Sequence, residues 1–188
     1  PNRQLPRFAS TTFQQWFNNR QTIERSSPST GTVVLYNDTF MNYNYPSIGQ
    51  ASVKLLEHAG YEVVLANADC CGRPMISKGL LNEAKMRAET NIDVLADHVK
   101  QGFPIIGTEP SCILTFSDEY PELIKTENAK LVAENSYMID EFLSMLNQKG
   151  ELNLNFTRNK KQILFHGHCH QKSLIGTSAS LEVLNLPE

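Results

Sequence analysis

Residues 61–74 read YEVVLANADCCGRP, and the change of character within them decides the fold. The first six are a short β-branched, apolar run entered from Gly60, the composition of a buried strand. They lead through Asn67, Ala68 and Asp69 into Cys70, Cys71, Gly72, Arg73 and Pro74, a loop that carries reactive side chains. A strand whose carboxyl end opens onto chemistry is the habit of parallel sheets, where ligands gather beyond the strand ends.

The same arrangement recurs on both sides. Upstream, residues 32–36 (TVVLY) form a run bounded by Gly31 and Asn37-Asp38, followed by Thr39 and a loop rich in Asn and Tyr. Ser47 is a good N-cap for a helix reaching Ala59, with Val53, Leu56 and Ala59 on its buried stripe and Gly60 as its stop. Downstream, residues 80–101 are the longest helical pattern, ended by Gly102. Residues 104–107 (PIIG) make a third strand, running into Glu109-Pro110-Ser111-Cys112. A short helix over 113–120 and a longer one over 128–149 are expected next, the latter with Val132, Met138, Phe142 and Met145 on its apolar face. Residues 162–165 (QILF) are read as a fourth strand, leading to His166-Gly167-His168-Cys169-His170 and a helix from about Ser173.

This order predicts an α/β fold: a mainly parallel, Rossmann-like sheet with right-handed crossovers, flanked by helices in three layers. Its strands centre on Val34, Val63, Ile105 and Leu164, and every cysteine falls at a strand's carboxyl end. Residues 1–31 form an N-terminal helical extension and linker, and residues 32–188 the α/β domain. In the extension, Phe13, Trp16, Phe17 and Arg20 share one helical face suited to docking, and a polar linker covers 22–31.

Composition narrows the class. The 188 residues are 40% hydrophobic and 20% charged with a net charge of -3, those of a globular protein able to bury a core. No basic stripe marks a nucleic-acid surface, and no apolar run approaches the roughly 20 residues of a membrane span. The chain lacks an initiator Met and a signal-type apolar region, and both ends read as cut from a longer polypeptide. Four cysteines without a secretory signal point to metal or redox work rather than a disulfide framework.

Cys70 and Cys71 are adjacent, a poor disulfide pair but a good source of two thiolates for neighbouring soft-metal positions. Gly72 permits a tight backbone turn and Pro74 stiffens the exit. The alternative is that one of them is a small buried hydrophobe. Glu109 is a helix-terminal acid, a salt-bridge partner or a hard oxygen ligand. Cys169, flanked by His168 and His170, opens a second reading: a zinc-binding structural or interaction domain. Nucleotide loops and catalytic elbows are missing from the sequence.

Cys70-Cys71-Gly72-Arg73-Pro74, Ser77-Lys78-Gly79 and Glu109-Pro110-Ser111-Cys112 together resemble the cysteine-rich CCG domain. That family includes a subunit of heterodisulfide reductase, the iron–sulfur subunits of glycolate oxidase and anaerobic glycerol-3-phosphate dehydrogenase, and lactate-utilisation proteins. The similarity extends to the C-terminal part of fused FAD-linked oxidases of the D-lactate or D-2-hydroxyglutarate type. The family motif is Cys, a spacer, Cys-Cys-Gly, a second spacer and Cys-x-x-Cys, usually present twice. Cys70 and Cys71 match the pair, Cys112 the final cysteine, and Cys169 the opening cysteine of a second, truncated copy. Asp38-Thr39 and Glu109 stand where the family has cysteines.

The resemblance implies metal ligation by Cys70, Cys71, Cys112 and Cys169, holding a 4Fe-4S iron–sulfur cluster in the full-length protein. It also implies FAD on another domain and, as partners, flavin-binding and ferredoxin-like domains of the same polypeptide or complex. The expected role is electron transfer within an oxidoreductase acting on a 2-hydroxy acid or a glycerol 3-phosphate-like substrate. The expected location is the cytoplasm or the periphery of the inner membrane, beside the respiratory chain. Residues 1–188 alone are expected to be inactive as a dehydrogenase and to lack an intact cluster when isolated in air.

Overall fold

The computed structural model describes residues 4–21, 29–157 and 161–187. Its centre is a four-stranded sheet, β1 (Gly31–Leu35), β2 (Tyr61–Leu65), β3 (Ile105–Gly107) and β4 (Ser136–Met138), in the order β2-β1-β3-β4. All three pairings are parallel, with Val34 opposite Val64 on one side and Ile105 on the other. The eleven described helices are α1 (Phe13–Asn19), α2 (Thr39–Tyr43), α3 (Pro46–His58), α4 (Arg73–Ser77), α5 (Leu81–Lys100), α6 (Pro110–Ser117), α7 (Glu119–Leu123), α8 (Glu127–Glu134), α9 (Ile139–Gln148), α10 (Cys169–Leu174) and α11 (Ser178–Leu184).

Strand alternation divides the core into two layers. Val34 and Ile105 face one side, packing with Ile92 and Leu95 of α5, Ile113 and Phe116 of α6 and Val132 of α8. Val33, Leu35 and Ile106 face the other, packing with Val53 and Leu56 of α3 and Phe142 and Leu146 of α9. Helix α1 joins this second layer: Phe13 is fully buried, and a Cβ on Gly49 of α3 would lie 2.6 Å from its ring. Arg20 closes the contact, its guanidinium 3.4 Å from the Phe17 ring centre and 3.3 Å from Glu57. The docking face at Phe13, Trp16 and Phe17 therefore has its partner in α3; most of the expected linker, residues 22–28, lies outside the described residues.

Two expectations are corrected. Residues 128–149 are not one helix but α8, β4 and α9. Asn135 and Ser136 turn their side chains back onto the carbonyls of Leu131 and Val132, ending α8, and Glu141 accepts from the Met138 N–H to start α9. A three-residue strand between two amphipathic helices is invisible to a helical period. The fourth strand is thus Ser136–Met138, and residues 162–165 are extended chain outside the sheet. Leu164 is 98% exposed and Ile163 57%, because no described strand lies beside them to bury their side chains.

Candidate functional site

The carboxyl ends of β1, β2 and β3 converge on one edge. Beyond β1, Asp38 is buried and caps α2, its carboxylate accepting from the N–H groups of Phe40 and Met41 at 2.9 Å each. Burial is the largest influence on this carboxyl and raises its pKa; the negative charge of Glu109 adds to that, while the two backbone bonds work against it. Beyond β3, Glu109 caps α6 by accepting from the Ser111 N–H at 3.2 Å and from its hydroxyl. Of the roles open to Glu109 in the sequence, helix-terminal acid is the one seen. Gly107 lets α6 close onto the sheet, since a Cβ there would meet Ile113 at 2.6 Å.

Beyond β2 lies the Cys70-Cys71-Gly72 turn. Gly72 has φ +81°, a conformation that glycine adopts without strain, and it caps α4. Three of the four cysteines meet here: Cys70 is hydrogen-bonded through its thiol to Cys71, and Cys71 in turn to Cys112. Cys70 is exposed and Cys71 buried, so the chain of sulfurs runs from surface to interior. Cys71 is pushed up to about 12, first by its hydrogen bond to the Cys112 thiol and then by burial. Cys70 is raised as well, chiefly by its bond to Cys71, while the Thr39 hydroxyl and the Gly72 N–H pull the other way. These are protonated thiols at neutral pH, and a metal that bound them would displace protons.

The turn rests on buried polar side chains that do not stand out in the sequence. Asn91 of α5, fully buried, accepts from the Asp69 N–H at 2.8 Å and donates to the Cys70 carbonyl at 3.1 Å and the Tyr120 hydroxyl at 2.8 Å. Tyr120 of α7 donates to the Cys71 carbonyl at 3.0 Å, and Tyr36 to the Asp69 carbonyl at 2.8 Å. The available signal is positional: Asn91 occupies the stripe of Ala84, Ala88 and Leu95, where an apolar side chain belongs.

Cys169 reaches this edge by a different route. It is the first residue of α10, which packs on α6, and its thiol is exposed. His168 caps α10, its Nδ1 accepting from the His170 N–H at 3.2 Å. His170 Nε2 accepts from Arg73 at 2.7 Å, which leaves the ring proton on Nδ1, and Arg73 also pairs with Glu119. The second motif thus touches the helix that follows Gly72. Gln171 anchors α10 from below, donating to Asp140 of α9 at 3.0 Å and to Ser180 of α11 at 2.7 Å. The expectation that Cys169 follows a strand is corrected: helix docking brings its motif here.

Soft thiols in a chain from Cys70 to Cys112 suit a multi-iron group whose ligands are spaced around it. A single-ion centre is a poorer match, since among the described residues no three His, Cys, Asp or Glu side chains converge on one ion position.

Fold and site define a cysteine-rich α/β domain with thiols at the carboxyl edge of a parallel sheet. Residues 36–117 match the family described as CCG, cysteine-rich domain, and the chain belongs to that family. It is 29% identical over 188 residues to the C-type subunit of the anaerobic glycerol-3-phosphate dehydrogenase of Escherichia coli K12, covering 98% of this chain and 46% of that protein. It is 28% identical over 142 residues to lactate utilization protein A of an Exiguobacterium species, covering 72% of this chain and 56% of that one. Against D-2-hydroxyglutarate dehydrogenase of Escherichia coli K12 the identity is 27% over 138 residues, covering 73% of this chain and 13% of the enzyme. The chain therefore spans about half the length of the first two relatives. No solved structure matches it. Among the described residues, no helix is long and apolar enough to cross a membrane.

Proposed function

We propose that this chain is an electron-transfer module of an oxidoreductase, holding a 4Fe-4S cluster through Cys70, Cys71 and Cys112, with Cys169 as the fourth thiolate. The observation that carries this reading is the contact of three thiols from two separate loops at one sheet edge. A bound cluster supplies one-electron storage at a potential set by its surroundings. The chain's own part is to present the sulfurs, exclude water from Cys71 and donate hydrogen bonds to them. FAD on another domain would carry out the oxidation of a 2-hydroxy acid or glycerol 3-phosphate, with flavin-binding and ferredoxin-like domains as partners. The names of the relatives, two of them dehydrogenases, support that assignment. The proposed setting is the cytoplasm or the inner-membrane periphery.

Residues 162–165 belong to the same proposal as the opening strand of a second unit of this kind. Its support is an exposed apolar run leading into Gly167 and Cys169, and relatives about twice as long as this chain.

Iron and acid-labile sulfide analysis of anaerobically purified protein tests the reading, alongside Cys70→Ala, Cys71→Ala and Cys112→Ala. A brown protein that loses iron and sulfide together in these variants is the expected result. A colourless protein that binds zinc through Cys169 would replace it with a structural zinc site. Against that second reading, His170 Nε2 is engaged by Arg73 and His168 Nδ1 by a helix cap.

A further inference from the structure

The backbone of the Cys70-Cys71 turn donates to its own sulfurs. The Gly72 N–H is bonded to the Cys70 sulfur, and the Arg73 N–H to the Cys71 sulfur. Each donor belongs to a peptide group whose carbonyl is held from the opposite side. Peptide planes are rigid, and in the trans form that every described bond adopts, N–H and C=O point in opposite directions. Whatever grips the carbonyl therefore aims the N–H.

For the Gly72–Arg73 peptide the grip is local: the Gly72 carbonyl accepts from Met75 and Ile76 in the first turn of α4, at 2.9 and 3.1 Å. For the Cys71–Gly72 peptide it is distant in sequence. The Cys71 carbonyl is held by the Tyr120 hydroxyl at 3.0 Å, and that hydroxyl is oriented by Asn91 at 2.8 Å. Gly72, at φ +81° and without a Cβ, has little of its own to keep the plane from turning.

The geometry points to Tyr120, set by Asn91, as a positioning residue that aims the Gly72 N–H at the Cys70 sulfur. This rests on the cluster reading for its redox consequence but not for its structural content. Hydrogen bonds to ligand sulfurs raise the potential of iron–sulfur centres by stabilising the more negative, reduced state. Tyr120 would thus act on electron transfer through a peptide plane, without touching sulfur or metal. The third buried hydroxyl supplies a control. Tyr36 donates to the Asp69 carbonyl, whose peptide partner is the Cys70 N–H, not one of the two N–H donors to sulfur.

The test compares Tyr120→Phe and Tyr36→Phe, each of which removes one buried hydroxyl and keeps the ring. In metal-free, reduced protein, amide exchange at Gly72 is expected to quicken on the order of tenfold in Tyr120→Phe, from the loss of one aiming bond. Tyr36→Phe should leave it unchanged, as should both variants for the amides of β1. In anaerobically reconstituted protein matched for iron and sulfide, the midpoint potential should fall in Tyr120→Phe and hold in Tyr36→Phe. Asn91→Ser, which frees the Tyr120 hydroxyl, should reproduce the direction if Tyr120→Phe folds poorly. Unchanged Gly72 exchange, or equal potentials in the two Tyr variants, would overturn the assignment. Should wild-type protein take up no iron and sulfide, the cluster reading fails, while Gly72 exchange alone still decides whether Tyr120 aims the peptide.

Discussion

The two cysteine motifs meet at one edge of the sheet but are held in opposite ways. The turn at Cys70-Cys71 grows out of β2 and is gripped from beneath by Asn91, Tyr120 and Tyr36, all in the core. The His168-Cys169-His170 segment follows extended chain, and its helix is fastened to the outside of the fold by Gln171 and Arg73. Each motif rests on one buried amide, yet Asn91 is enclosed by the hydrophobic core while Gln171 bridges a surface helix to Asp140 and Ser180. A site anchored in the core keeps its geometry as long as the protein is folded. A site anchored by docking can shift when the helix does.

The largest expected effect is on metal loading. Cys71→Ala and Cys112→Ala should abolish iron and sulfide binding, whereas Cys169→Ser should retain a substantial part, because the thiol chain within the first motif stays intact. Equal loss in all three would erase the distinction between motifs.

Stability separates the anchors next. Asn91→Ala leaves the Asp69 N–H and the Cys70 carbonyl unsatisfied in the core, a cost of about 3 kcal/mol in chemical denaturation. Gln171→Ala should cost about 1 kcal/mol, since Ser180 and Asp140 still bond each other. A reversed order would mean that the docked helix, not the core, carries the edge.

Glycines give a finer contrast. A Cβ at Gly72 would make only ordinary contacts, none nearer than 3.7 Å, but the φ is left-handed. Gly72→Ala should therefore destabilise by about 1–2 kcal/mol with a displaced turn. At Gly167 the φ is ordinary for other residues, and the obstacle is a Thr177 methyl 2.7 Å from a new Cβ. That methyl ends a side chain on the docked segment, so Gly167→Ala should cost less than Gly72→Ala, about 1 kcal/mol or below.

The smallest effects are in pH dependence, and they differ in sign. Asp38, raised in the folded state, favours folding in its neutral form: its contribution is complete below the unfolded value of about 3.9 and is lost as pH rises through the folded one. Asp38→Asn keeps the cap oxygen and should therefore be more stable than wild type at pH 7, the advantage closing as pH falls to about 4. Glu182 is lowered, first by its bond from Asn147 and then by Ser144 and Gln148. Its contribution is present above the unfolded value of about 4.3 and fades as pH falls, so Glu182→Gln should be slightly weaker at pH 7 and equal to wild type in acid. Denaturation midpoints at pH 4 and 7 check both.

Much of this is legible in the chain itself. Strands β1, β2 and β3 fall within a residue of the runs at 32–36, 61–66 and 104–107, because dense β-branched segments between Gly, Asn and Asp leave few alternatives. Helix α5 at Leu81–Lys100 matches the pattern over 80–101. The exposed run at 162–165 reads as a strand on the same composition, and local composition says nothing about whether a neighbouring strand is present. The short α2 and α4 read as loop, being single turns whose ends are set by Asp38 and Gly72.

By itself, then, the order of residues determined which segments are apolar, which turns carry cysteine, and that the sheet is parallel with its reactive loops on one edge. These follow from local composition and from the handedness of crossovers, which need no knowledge of distant contacts. Only the tertiary structure decided that Cys70, Cys71 and Cys112 touch, that β4 is Ser136–Met138, and that Cys169 arrives by helix docking. It alone also decided that Tyr120, 49 positions from Cys71, holds the peptide that faces Cys70. Such pairings depend on which long-range partner satisfies a buried polar group, and a single stretch of chain does not contain that partner.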